Sequence, residues 1–328
     1  MKIRNPFVSI IGAGQVGATT AQRILEKNLS DVVLFDVVPG LPQGKALDLM
    51  EAAPIEGHEK HIIGTNDYKD IEGSDIVVVT AGLPRKPGMT REDLLALNAK
   101  IVTEVCVNIK KYAPNSKVIV VTNPLDIMTF LAYKVTGFSE KRILGMAGVL
   151  DTARMRYFIA EHTDCVPREV TAVVLGGHGD LMVPVSSHSK VNGKPVKTLI
   201  PLPELTQIEQ RTKDGGAEIV ALLKTGSAFY APASSVCEMV KAILKNEKKT
   251  LPVCAYLHGE YGVHDAYFGV PAILGKDGVE KVVEISLSDA EKMSLTLSAE
   301  KVKQGIAEVV RLGLHDLTTS FRGGLQPK

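Results

Sequence analysis

Cysteine is scarce in this chain of 328 residues: Cys106, Cys165, Cys237 and Cys254 lie far apart, with no C-x-x-C pair. That spacing excludes a disulfide framework and a structural zinc site, and it predicts free thiols in a reducing compartment with no bound metal. An excess of charge of either sign is missing too. With 38 Lys plus Arg against 37 Asp plus Glu, the formal net charge is +1. No global field gathers nucleic acid or an anionic membrane, so any anion site must be local. Long apolar runs are also lacking. The run Phe7–Ile11 behind the first basic residues passes straight into glycines and reads as a strand, not as a signal peptide. A soluble, cytoplasmic protein without nucleic-acid or membrane partners is expected. Repeats, low-complexity tracts and linkers are absent, and the length exceeds one small core, which predicts two closely packed domains.

What is present begins at Phe7–Ile11, a strand that runs directly into Gly12-Ala13-Gly14-Gln15-Val16-Gly17 and then into helix-forming Ala18 to Lys27. Strand, G-x-G-x-x-G, helix is a dinucleotide-binding pattern. Gly12 permits the tight turn, Gly14 lets the backbone approach a pyrophosphate, and Gly17 lets the helix pack on the strand, with the phosphates at the helix N-terminus. A second strand, Val32 to Phe35, ends roughly 20 residues on at Asp36, where a carboxylate can bind ribose hydroxyls. No Arg or Lys follows until Lys45, so nothing nearby in sequence pairs with a 2′-phosphate, and NAD is the expected cofactor. Further apolar strands at Ile62-Ile63, Asp75 to Ala81, Lys117 to Thr122 and Arg142 to Met146 alternate with helical stretches. This predicts a doubly wound parallel sheet of α/β class over residues 1–147, with ligands beyond the strand ends. Asn-Pro alone reads equally as a turn or as a ligand contact, and the position of Asn123-Pro124 at one such end favours the contact.

Leu83 to Asn98 places Arg85, Lys86 and Arg91 among Pro84, Pro87 and Gly88, with a helix taking over after Thr90. Such a basic loop is either a solvated surface or a lid whose guanidinium forks close on carboxylates, pivoting near Gly82 and Gly88.

From Gly148 the character changes, and residues 148–328 are expected to form a second domain of α+β type. Leu150 to His162 is helical, with Asp151 and Arg154 three apart and able to form an intrahelical ion pair. Val170 to Leu175 reads as one strand breaking at Gly176-Gly177-His178-Gly179-Asp180, where the glycines clear space around His178. The remaining histidines are read as structural. Hairpins are expected around Asn192-Gly193 and Asp277-Gly278, helices over Pro203 to Lys224, after Ser227 and over Ser288 to Leu312, and a frayed tail from Thr318. His178 with Asp151 is the pair that proton removal from an alcohol requires: an imidazole base, and a carboxylate to orient it and stabilise its cation.

Taken together, the glycine motif, Asp36, Arg85 to Arg91, Asn98, Asn123-Pro124-Leu125-Asp126, Leu150 to Arg154 and Gly176 to Asp180 make the chain resemble the lactate/malate dehydrogenase family over nearly its whole length. The Leu-Pro-Arg-Lys-Pro-Gly-Met-Thr-Arg form of the loop looks like the oxaloacetate-reducing members of the lactate-dehydrogenase-like subgroup. The resemblance implies reversible oxidation of (S)-malate to oxaloacetate with NAD, in a homodimer or homotetramer. It makes His178 the proton acceptor, Asp151 its partner, Arg154 the clamp on the carboxylate beside the reacting carbon, and Arg91 the group polarising the carbonyl. Asn123 becomes a neighbour of substrate and nicotinamide, Gly12, Gly14, Gln15, Val16, Gly17, Asp36 and Asn98 become cofactor contacts, and Arg85 selects the dicarboxylate. The physics agrees, because enclosing a second carboxylate without a counter-charge costs roughly 3–5 kcal/mol, about 10²–10³-fold in discrimination. A lactate dehydrogenase, an NAD-dependent glycosidase and a non-catalytic NAD module are the competing readings.

Overall fold

Burial on both faces explains why the strands of the first half are nearly continuous apolar runs. The computed structural model describes residues 3, 6–84 and 89–311. Arg85, Lys86, Gly88 and the expected tail from Thr318 lie outside them. Two units are distinguished, one holding the chain to Leu144 together with the stretch from Gln304, the other running Gly145–Lys303. The expected boundary at 147/148 falls close to this junction, while the end of the last helix groups with the first unit.

In the first unit the described residues form β1 (Phe7–Ile11), β2 (Asp31–Phe35), β3 (Ile62–Thr65), β4 (Ile76–Val79), β5 (Lys117–Val120) and β6 (Ile143–Gly145), the last ending at the junction. Their order is β3-β2-β1-β4-β5-β6, and β1 to β5 pair in parallel. The order reverses between β1 and β4, which opens a crevice at the strands' carboxyl ends. The helices are α1 (Gln15–Glu26), α2 (Leu41–Glu56), α3 (Arg91–Tyr112) and α4 (Leu125–Thr136). α3 buries Leu95, Ala99, Val102, Cys106 and Ile109, a stripe at helical spacing that faces inward. Its start is fixed by a capping box: Thr90 Oγ1 accepts the Asp93 N–H at 3.0 Å, and Asp93 Oδ2 accepts the Thr90 N–H at 3.0 Å. Those bonds to Thr90 hold the Asp93 carboxyl below its ordinary range.

The second unit contains α5 (Gly148–Thr163), whose Met155, Phe158 and Ile159 share a core with Val170, Val174, Leu205 and Ile208. The strand expected over Val170 to Leu175 is two strands: β7 (Val170–Thr171) and β8 (Val174–Gly176). β8 pairs with β9 (Met182–Pro184), while β7 pairs with β10 (Lys190–Val191), which turns at Asn192-Gly193 into β11 (Lys194–Pro195). An apolar run does not reveal where its partner changes. Next come α6 (Leu202–Leu223) and α7 (Tyr230–Leu244), close to the expected helices, and then β12 (Lys249–His258), which the sequence reading leaves unassigned. β12 pairs antiparallel with β13 (His264–Gly275), which turns into β14 (Gly278–Val282). α8 (Asp289–Arg311) follows. Among the described residues no helix is long and apolar enough to cross a membrane. All four cysteines are free, and burial pushes the Cys106 thiol up to about 12.

β13 passes so close to the end of β8 that a Cβ on Gly269 would stand 2.2 Å from the Gly176 carbonyl oxygen. Gly269→Ala is therefore expected to destabilise the protein by about 1–3 kcal/mol, read as a lower urea midpoint. An unchanged midpoint would show that this strand can give way.

Candidate active site

The first constellation is the turn between β1 and α1. Gly12 has φ +111°, and a Cβ there would meet Thr80 Oγ1 at 2.7 Å and the Ala81 nitrogen at 2.8 Å, while one on Gly17 would stand 1.9 Å from the Gly12 carbonyl oxygen. Both are glycine for packing reasons. A Cβ on Gly14 would meet no protein atom within 4 Å, so close packing does not explain glycine there, whereas a ligand's close approach does. Gly14 is the N-cap of α1, no side chain caps it, and the first turn, with Gln15 and Val16, carries no acidic residue. Its N–H groups suit a phosphate.

Side chains from three segments hold this turn. Asp36 Oδ2 accepts the Ala13 N–H at 2.7 Å, and its Oδ1 accepts the Val38 N–H at 3.0 Å. Thr80 Oγ1 lies 3.0 Å from the Gly12 carbonyl oxygen. Lys45 Nζ donates to the Ala13 carbonyl at 2.7 Å. Lys45 was set aside in the sequence as too distant, yet α2 folds it back onto the motif, where its ammonium serves the backbone. A cleft of about 400 Å³ opens beside the turn, lined by Gly12, Gly14, Asp36, Tyr68 and Thr80 among others. One wall is the Phe35–Tyr68 stack, with ring centroids 3.9 Å apart, a flat apolar face against which a planar ring can lie. Burial and the Glu104 carboxylate raise the Tyr68 hydroxyl above its ordinary value. The cradle, the unfilled Gly14 position and Asp36 fit a dinucleotide.

Asn98, Asn123 and Arg91 belong to the same unit. Asn98 is 1% exposed. Its Oδ1 accepts the Leu83 N–H at 2.8 Å, and its Nδ2 donates to the carbonyls of Leu83 at 3.1 Å and Asn123 at 2.8 Å. Asn98, expected as a cofactor contact, holds backbone here, fixing the loop entrance and the Asn123 strand end. Gly82, expected as a hinge, is packed: its Cβ would meet Thr122 Cγ2 at 2.4 Å and Asn98 Oδ1 at 3.3 Å. Asn123 is exposed before a cis peptide to Pro124, and Arg91 is the exposed first residue of α3.

The second constellation is carried by α5 and the β8–β9 turn. Asp151 is 2% exposed. Its Oδ2 lies 2.9 Å from His178 Nδ1, and its Oδ1 accepts from Arg154 Nη1 at 3.3 Å. The intrahelical ion pair and the carboxylate–imidazole pair, alternatives in the sequence, coexist on one carboxylate. With Nδ1 donating to Asp151, the neutral ring carries its lone pair on Nε2. Burial lowers the Arg154 pKa while Asp151 opposes the shift, and a guanidinium stays charged.

Two features here were missed in the sequence. A Cβ on Gly215 would stand 3.1 Å from Arg154 Cδ, and one on Gly216 3.6 Å from its Nη2, so α6 passes Arg154 closely at its two glycines. The signal was available, because Gly-Gly inside a helix costs about 1 kcal/mol per residue against Ala and calls for a reason. The glycines before His178 do not clear space, as expected, but are tightly packed: Gly176 has φ +89°, and Cβ atoms on Gly176 and Gly177 would stand 2.9 Å from Leu181 O and 2.7 Å from Val302 Cγ2.

Comparison with known proteins matches residues 7–145 to the family model "lactate/malate dehydrogenase, NAD binding domain" and 148–312 to "lactate/malate dehydrogenase, alpha/beta C-terminal domain". A malate dehydrogenase of Nostoc punctiforme is 56% identical over 301 residues, 92% of each chain. Among solved structures, malate dehydrogenase of Cryptosporidium parvum superposes with a TM-score of 0.92 at 43% identity, covering 94% of this chain and 100% of that one. A lactate dehydrogenase of the same organism, complexed with lactic acid and NAD, reaches 0.91 at 41%, covering 94% and 99%. Backbone likeness therefore does not separate the two activities.

Asp36→Ala removes the acceptor of the Ala13 N–H and, on the role expected for Asp36, that of a ribose hydroxyl, and is expected to weaken NADH binding about tenfold, read by fluorescence titration. Unchanged affinity would take Asp36 out of the cofactor site.

Proposed function

Because the chain belongs to the lactate/malate dehydrogenase family, we propose that it catalyses reversible oxidation of (S)-malate to oxaloacetate with NAD, His178 accepting the hydroxyl proton. The observation that supports this most directly is the buried Asp151 carboxylate shared by His178 and Arg154. Its relatives at more than half identity are malate dehydrogenases, and the fold and NAD-binding half are those of the family.

In the direction of malate oxidation, the C2 hydroxyl gives its proton to Nε2 of His178, and the hydrogen on the same carbon leaves as hydride. NAD, when bound, supplies the acceptor for that hydride. Asp151 fixes the imidazole tautomer and stabilises the imidazolium as it forms. Arg154 binds the C1 carboxylate through its planar fork, and Arg91 polarises the C2 oxygen. Arg85 is assigned to the far carboxylate from the resemblance of its loop to the oxaloacetate-reducing subgroup. Gly12, Gly14, Gln15, Val16, Gly17, Asp36 and Asn98 serve the cofactor, Asn98 also holding the backbone of Leu83 and Asn123, and Asn123 lies beside substrate and nicotinamide. Residues 1–147 are thereby the NAD-binding domain and 148–328 the catalytic one. The exposed Leu47 and Ile55 of α2 are surface that a second copy would cover in a homodimer or homotetramer. A cytoplasmic location accords with free thiols.

His178→Asn, which keeps shape but removes the basic nitrogen, is expected to lower kcat by about 10³-fold or more, with NADH affinity retained. Retained turnover would sink the base assignment. Arg85→Gln should lower kcat/KM for oxaloacetate by about 10²–10³-fold relative to pyruvate, measured by NADH consumption. An equal loss on both substrates would mean that Arg85 does not choose between them.

A further inference from the structure

We propose that Ser298 is a positioning residue for His178, holding from α8 the turn on which the imidazole is carried. The inference rests on the assignment of His178 as proton acceptor. Ser298 is 3% exposed, and its Oγ accepts the Gly177 N–H at 2.9 Å, across a sequence separation of 121. Gly177 is buried, so losing that oxygen would leave a backbone donor unpaired where water does not compensate. The contact is not the habitual one of a helical hydroxyl. Thr129, Thr136, Thr212 and Ser235 in this chain donate to the carbonyl four residues back in their own helix, whereas Ser298 accepts from another segment.

Packing gives the bond leverage. A Cβ on Gly176 would lie 2.9 Å from Ser298 Oγ, and one on Gly177 would lie 2.7 Å from Val302 Cγ2. Ser298 and Val302 are four residues apart and so share one face of α8. Gly269 of β13 also closes on the Gly176 carbonyl. Gly176 adopts φ +89°, a conformation open to glycine, and its freedom is removed by these neighbours and not by its own side chain. His178 follows directly and inherits the position. Asp151 sets which way the ring points, while Ser298 sets where the ring starts. Ser298 acts only through that backbone, and the rate is sensitive to it because a shift of about 1 Å in a catalytic group can cost about 10²-fold.

The test compares Ser298→Ala, Ser298→Thr and His178→Asn in the full chain. For Ser298→Ala, NADH affinity by fluorescence titration is expected to stay at the parent value, and kcat for oxaloacetate reduction to fall about tenfold or more. KM for oxaloacetate should stay within about twofold, because binding is left intact. Ser298→Thr retains the oxygen and is expected to return kcat to within about threefold of the parent. A parent-like kcat in the Ala variant, an equal loss in both variants, or a loss of NADH affinity in step with kcat would each overturn the proposal. His178→Asn separates the two assignments: if it is inactive while Ser298→Ala is parent-like, the base stands and the positioning role falls. If it turns over normally, the base falls and the Ser298 role with it.

Discussion

A single buried carboxylate organises the candidate site of the second unit. Asp151 is 2% exposed, and an unpartnered carboxylate at that depth would be costly. Its two oxygens are instead matched separately, one to the Arg154 guanidinium and one to the His178 ring. The first match comes cheaply from helical spacing, since residues three apart share a face. The second has to be built from outside the helix. β8 must end at the right height, and the Thr152 hydroxyl oxygen accepting the Val174 N–H at 3.0 Å ties that strand to α5.

The two units solve a similar problem in similar ways. Each presents chemistry on a glycine-containing turn at a strand end, and each takes rigidity from neighbours. In the first unit Asp36, Lys45 and Thr80 hold residues 12 and 13. In the second, Ser298, Val302 and Gly269 confine residues 176 and 177. Glycine admits the conformation or the close approach, and the surroundings then select one arrangement.

How much of this could be read from the sequence follows the range of the interactions. β1, the glycine turn and Asp36 were legible because the motif is local and the strands around it, buried on both faces, are plain apolar runs. α3 was legible from Thr90 and the periodic apolar residues after it. β12 was not: Pro252 interrupts it, and a proline argues against a ladder. The structure sets Pro252 opposite Pro271 in register, confining the two missing donors to one rung. The contacts of Lys45 and Ser298 were illegible for another reason. Each holds a segment remote in sequence, and only the folded chain brings a helix back onto the turn it touches. The pairing of His178 with Asp151 was legible because the chemistry calls for such a pair. The close packing of Gly176 and Gly177 was not, since a glycine that is crowded and one that is free look alike in a sequence.

The role proposed for Asp36 in the cofactor site, added to its bond to the Ala13 N–H, bears on attempts to re-engineer coenzyme preference. The usual route to a phosphorylated dinucleotide exchanges the acidic residue at this strand end for a small neutral or basic one. Here that exchange would also withdraw the acceptor from the Ala13 N–H, on the residue whose carbonyl Lys45 already holds. On that proposal the electrostatic preference and the shape of the glycine turn are inherited together. A variant library that varies position 36 alone explores mostly damaged cradles, and productive solutions lie where a second substitution restores an acceptor for that amide.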